Sequence, residues 1–114
     1  MKFYHIIITA LFLVIGVNAN AQKTVAQDTL IVKGVCGDCK NRIETAAYSK
    51  GVKFAEWTQE TDKLVIAYRT DKTSIEEIKQ RILDAGHSVG DTKPTKENYH
   101  ALPKCCQYEE VEKH

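Results

Sequence analysis

The chain has 114 residues, 27% of them charged, with 16 basic residues against 15 acidic and a formal net charge of +1. That length supports one small domain with one modest core. Its balanced, interspersed charge excludes the basic footprint of a nucleic-acid binder and the polybasic patch of a lipid-surface protein.

Residues 1–21 read as a secretory signal peptide. Lys2 precedes an uncharged apolar run from Ile6 to Val17, and Ala19-Asn20-Ala21 places small residues around a cleavage point. The run is shorter than the roughly 20 residues of a membrane-spanning helix. The expectation is therefore cleavage near Ala21, a mature chain not inserted in the membrane, and a secreted, periplasmic location. Such compartments are oxidising, and free thiols there tend to pair. All four cysteines, Cys36, Cys39, Cys105 and Cys106, lie beyond the cleavage point.

Residues 22–28 are polar and read as a flexible lead-in. "TLIVKGV", residues 29–35, is rich in β-branched residues and predicts a strand. From Cys39 the pattern turns helical, with Ile43, Ala46 and Ala47 on one face and Gly51 as a stop. "VKFAEWTQ" sets Val52 and Phe54 against Lys53, with Trp57 out of step, and "KLVIAYR" sets Leu64, Ile66 and Tyr68 on one side. The short polar turn between them predicts a hairpin. Val65 and Ala67 are apolar, so its second face is not fully wet.

The second helix is announced by a capping-box pattern at Ser74 and Glu77. Ile75, Ile78, Ile82 and Ala85 follow at helical spacing, and Gly86 ends the run. "HSVGD" is a short final strand. With right-handed crossovers, this order predicts an α+β, ferredoxin-like βαββαβ fold, a four-stranded antiparallel sheet with two helices on one face. The domain spans residues 29–91. A tail, 92–114, carries a helical turn or two in "TKENYHAL" before Pro103.

The chemistry concentrates in "VCGDC". Cys36 leaves the first strand and Cys39 opens the first helix, whose free N–H groups and partial positive charge favour thiolate, as do nearby Lys40 and Arg42. Two thiolates suit Cu(I) or Hg(II), soft ions that accept few ligands, over Zn(II), which usually takes four. No phosphate-binding glycine loop, serine–histidine–acid set or catalytic carboxylate pair accompanies them, so the reading is a binding protein and not an enzyme.

Three stretches, "VKGVCGDCKNRIE", "GVKFAEWTQETDKLVIAYR" and "TSIEEIKQRILDAGHSV", resemble heavy-metal-associated (HMA) domains in this order. That family includes copper chaperones, modules of metal-pumping ATPases and periplasmic mercury-binding proteins. The resemblance implies Cys36 and Cys39 as metal ligands. It also implies, as partner, a metal-transporting membrane protein or another HMA-like domain. The chain departs from the family in two places. The family's methionine before the first cysteine is absent, Gly34-Val35 running directly into Cys36. His87 follows "AG" where relatives carry an aromatic residue or lysine, which makes it a candidate third ligand or supporting donor.

Cys105 and Cys106 are candidates for a second soft-metal site, or for a flap that completes the first; a disulfide to Cys36 or Cys39 is the structural alternative. Two other readings compete for the C-x-x-C pair. A periplasmic thiol–disulfide oxidoreductase would use the same helix-start cysteine, but Pro94 and Pro103 lie beyond the predicted domain, so no proline loop faces the pair. A structural staple would close only a tiny loop, which restricts the unfolded chain little.

Overall fold

The structure is a computed structural model that describes residues 24–114. The expected signal peptide and the first two residues of the lead-in lie outside the described residues. The elements are β1 (Val25–Ile31), α1 (Gly37–Ala47), β2 (Val52–Thr58), β3 (Lys63–Arg69), α2 (Ile75–Asp84), α3 (Lys96–His100) and a 3₁₀ turn over Lys104–Cys106.

The sheet has three strands in the order β1-β3-β2, all antiparallel. Central β3 turns Leu64, Ile66 and Tyr68 into the core, as its alternation predicts, and leaves Val65 and Ala67 half-buried. A bulge between Val52 and Phe54 shifts the register of β2. It turns Ala55 and Trp57 inward and leaves Phe54 exposed, reversing the alternation expected there. Trp57 donates its indole N–H to the Val32 carbonyl at 2.9 Å, so its one polar atom is satisfied inside the core.

Other expectations also need correction. β1 begins at Val25, four residues before Thr29, because Val25 to Asp28 pair with Arg69 to Ile66 of β3. The stop at Gly51 is not used, since α1 ends at Ala47 and Gly51 instead leads into β2. Among the described residues, the fourth strand shrinks to isolated bridges from Val89 to Val32 and to Thr92. Its physical cause is a tight reversal at Gly90 and Asp91. Val89 donates its N–H to Thr92 and accepts the N–H of Thr92, both at 3.0 Å, so the chain turns away before a ladder can grow.

Both helices pack Cys39, Ile43 and Ala47 of α1 and Ile78 and Ile82 of α2 into one core with the sheet. At α2, Ser74 Oγ accepts the Glu77 N–H at 3.2 Å, while the Glu77 carboxylate takes the Thr73 hydroxyl rather than closing the box. Edge strand β2 is held to α1 by two side chains. Glu44 accepts the Trp57 N–H at 2.9 Å, and Lys40 donates to the Trp57 carbonyl at 2.8 Å. Backbone groups that an edge strand would otherwise leave open are thereby satisfied.

The tail is part of the folded body. Tyr99, Leu102 and Cys106 are buried in the same core. Gly86, at φ +101°, is where the tail comes closest to the end of α2: a Cβ there would stand 2.6 Å from the Asn98 carbonyl and 2.9 Å from Leu102.

Candidate metal centre

Cys36 is the N-cap of α1, with an extended backbone (φ −154°, ψ 177°), and Cys39 lies in the helix's first turn. This is the strand-to-helix placement expected, except that the helix opens at Gly37. The two sulfur atoms are 3.6 Å apart. Cys36 Sγ also lies 3.9 Å from Cys106 Sγ, and the ligand atoms of Cys36, Cys39 and Cys106 all fall within 4.8 Å of one another. All three residues are buried, and all four cysteines are free thiols.

Close packing sets this geometry. Gly34 sits against Trp57 and Cys39: a Cβ there would be 2.8 Å from the indole and 3.1 Å from Cys39 Cβ. Only glycine lets the loop pass this close to the tryptophan that floors it. From the other side, His87 is fully buried, and its Nδ1 lies 2.7 Å from the Lys33 carbonyl. A carbonyl only accepts, so Nδ1 carries the proton and Nε2 keeps a lone pair that has no partner among the described residues. Tyr108 stacks on the His87 ring at 5.6 Å, and its hydroxyl donates to the Gly86 carbonyl at 2.9 Å.

The thiols differ in acidity. Burial raises the Cys36 thiol, but the backbone N–H and thiol of Cys39, together with the Asp38 N–H and the Cys106 thiol, outweigh it. The net value falls below that of an ordinary cysteine, although no capping hydrogen bond is closed. Cys39 and Cys106 are both held above the ordinary value, chiefly by burial. The Arg42 guanidinium, with the Cys106 thiol second, keeps the Asp38 carboxyl below its usual range. Of these three, Cys36 is thus the thiol poised to ionise first.

The candidates divide clearly. The fold brings together Cys36, Cys39 and Cys106. Cys105 is exposed, and its carbonyl rather than its sulfur faces Cys36, at 3.7 Å. Its sulfur clusters instead with Asp38 and Cys106. His87 belongs to neither cluster of ligand atoms and instead holds the loop that leads into Cys36. Lys40 and Arg42, the expected thiolate-stabilising cations, are each paired within α1, to Glu44 at 2.6 Å and to Asp38 at 3.1 Å. Asp38 itself was not singled out by sequence: it accepts the Cys106 thiol at 3.3 Å, a contact with no local signature.

A sequence model described as "Heavy-metal-associated domain" matches residues 29–88. The chain belongs to the heavy-metal-associated domain family. Over 66 residues it is 33% identical to the copper chaperone CopZ of two Staphylococcus aureus strains, a match covering 56% of this chain and 97% of the relative. A solved CopZ metallochaperone superposes with TM-score 0.55 at 31% identity, covering 57% of this chain and all of that one. A putative copper-ion-binding protein from Bacillus anthracis superposes with TM-score 0.57 at 25% identity, covering 60% and 100%. The HMA match includes Cys36 and Cys39 and ends at Ser88. Cys106 and the segment that carries it lie beyond it.

Proposed function

We propose that this chain is an exported carrier of Cu(I), which captures the ion between Cys36 and Cys39 and sequesters it or passes it to the thiolates of a partner HMA-like domain. The observation that carries this reading is the pair of sulfurs 3.6 Å apart at the start of α1, in a chain similar to proteins named as copper chaperones. Support for export comes from the composition of residues 1–21.

Capture follows from the site's chemistry. Cys36 ionises most readily and takes the ion first; Cys39 then gives up its proton as its sulfur bonds the metal. His87 contributes by fixing the Lys33 carbonyl and so the loop ahead of Cys36. Transfer proceeds by ligand exchange, in which incoming thiolates replace these sulfurs one at a time without change in the metal's oxidation state.

The test is a competition titration of reduced Gln22–His114 with Cu(I), Hg(II) and Zn(II), beside Cys36→Ser. The expected result is one tightly held Cu(I) per chain, preferred over Zn(II) and lost in the variant. Equal affinity in both proteins, or turnover of a disulfide substrate with no tight metal binding, overturns the reading.

A further inference from the structure

The C-terminal segment does more than pad the domain. It runs from the 3₁₀ turn at Lys104–Cys106 across the metal loop to the β2–β3 turn, and its last two residues are tied down repeatedly. Lys113 Nζ donates to the carbonyls of Gly34 at 3.2 Å and Gln59 at 2.5 Å, and pairs with Asp62 at 2.6 Å. The His114 N–H donates to the Val35 carbonyl at 2.8 Å, and the Gln59 side-chain amide bridges Val35 and His114, at 2.9 Å each. Every one of these contacts either grips the residues that lead into Cys36 or anchors the end of the strap beside them.

We propose that this segment is a strap that supplies Cys106 as a third thiolate to the ion held by Cys36 and Cys39, and that it must lift before the ion is handed on. The proposal rests on the carrier reading above and adds the ligand count and the gate.

Distances put a third sulfur within reach of the same ion. With metal–sulfur bonds of about 2.3 Å, a linear pair separates its sulfurs by about 4.6 Å and a trigonal set by about 4.0 Å. The Cys36–Cys39 and Cys36–Cys106 separations are 3.6 and 3.9 Å, and all three sulfurs lie within 4.8 Å of one another, so a trigonal set needs only small shifts. Cys106 is fully buried and already directed at the pair, so little reorganisation precedes bonding. When its sulfur bonds the ion, its proton leaves by way of the Asp38 carboxylate, which accepts that thiol, to solvent. Three thiolates on one Cu(I) carry a net charge of −2, and the Arg42 guanidinium, although paired with Asp38, is close enough to Cys106 to offset part of it.

The consequence is a gate. An incoming thiolate meets a saturated three-sulfur ion under a strap, and exchange begins only when the strap opens and Cys106 departs.

The experiment is Cu K-edge X-ray absorption on the reduced, Cu(I)-loaded chain with Cys106→Ser, Cys105→Ser and Lys113→Ala, paired with stopped-flow release to a chelator. Wild type and Cys105→Ser are expected to show three sulfur scatterers, and Cys106→Ser two with one copper retained. Release should be about tenfold faster or more in Cys106→Ser, and faster in Lys113→Ala with three sulfurs kept. Trp57 fluorescence verifies that each variant is folded. Two sulfurs in wild type, or unchanged coordination and release in folded Cys106→Ser, overturns the strap while leaving the carrier reading standing. Failure of wild type to hold copper overturns the carrier reading itself.

Discussion

Cys36 and Cys106 stand 70 positions apart in the chain, yet their sulfur atoms lie 3.9 Å apart. Nothing local brings them together. The first belongs to the strand-to-helix turn of an HMA domain, and the second to a segment beyond the family match. They meet because Leu102 packs at Gly86 beyond the end of α2 and Tyr108 stacks on His87 with Tyr99 edge-on to it, while Lys113 and His114 reach the carbonyls of Gly34 and Val35.

Loop packing should make Gly34 intolerant and Gly37 tolerant. An added methyl at Gly34 meets the Trp57 ring at 2.8 Å, whereas one at Gly37 meets nothing within 4 Å among the described residues. Gly34→Ala should destabilise by about 1–3 kcal/mol, the usual cost of overpacking. Gly37→Ala should change stability by under about 1 kcal/mol, through the unfolded chain alone. Urea unfolding of both, followed by Trp57 fluorescence, checks the contrast.

Buried His87 should give the fold an acid-sensitive edge. Burial first, and the Arg42 charge with it, lowers its pKa in the folded state, against an opposing bond to the Lys33 carbonyl. The unfolded chain therefore takes up a proton first as pH falls below about 6.5. Stability should be full above that pH and decline below it. In His87→Phe that slope should flatten, at some cost in overall stability from the lost Lys33 bond. Unfolding free energies measured between pH 5 and 8 test this; parallel profiles for the two proteins would contradict it.

Thiol accessibility should follow the strap. In the reduced, metal-free protein Cys105 should alkylate first, because it is exposed, while buried Cys39 and Cys106 should lag. Lys113→Ala should speed labelling of Cys106 more than that of Cys39, since Cys39 stays packed within α1 when the tail loosens. Peptide mass spectrometry after timed quenching reads both rates. A uniform rise at the two sites would point to general loosening instead of strap opening.

Much of this was legible in the residues. Ile78 and Ile82 at helical spacing, the Ser74 cap, and the alternation of Leu64, Ile66 and Tyr68 all specify structure through neighbours three or four residues away or fewer, and all appear as expected. Position of the C-x-x-C pair at a helix start was legible for the same reason. What sequence pattern missed depends on distant partners. β1 extends back to Val25 because β3 offers it a ladder, not because "VAQD" favours a strand. The fourth strand fails because Gly90 and Asp91 reverse the chain, and Phe54 exchanges places with Ala55 because of a bulge. Cys105 and Cys106 are adjacent and chemically alike in sequence. Only packing separates the buried sulfur that faces Cys36 from the exposed one that does not.

The central claim is that Cys36 and Cys39 together hold one Cu(I), and alkylation footprinting of the copper-loaded chain tests it most directly. Reduced protein would be loaded with one equivalent of Cu(I), pulsed with iodoacetamide, and mapped by mass spectrometry against the metal-free control. The account predicts strong protection of both Cys36 and Cys39 by that single equivalent, with Cys105 labelled as before. Copper retained while Cys36 and Cys39 alkylate at their metal-free rates would contradict it.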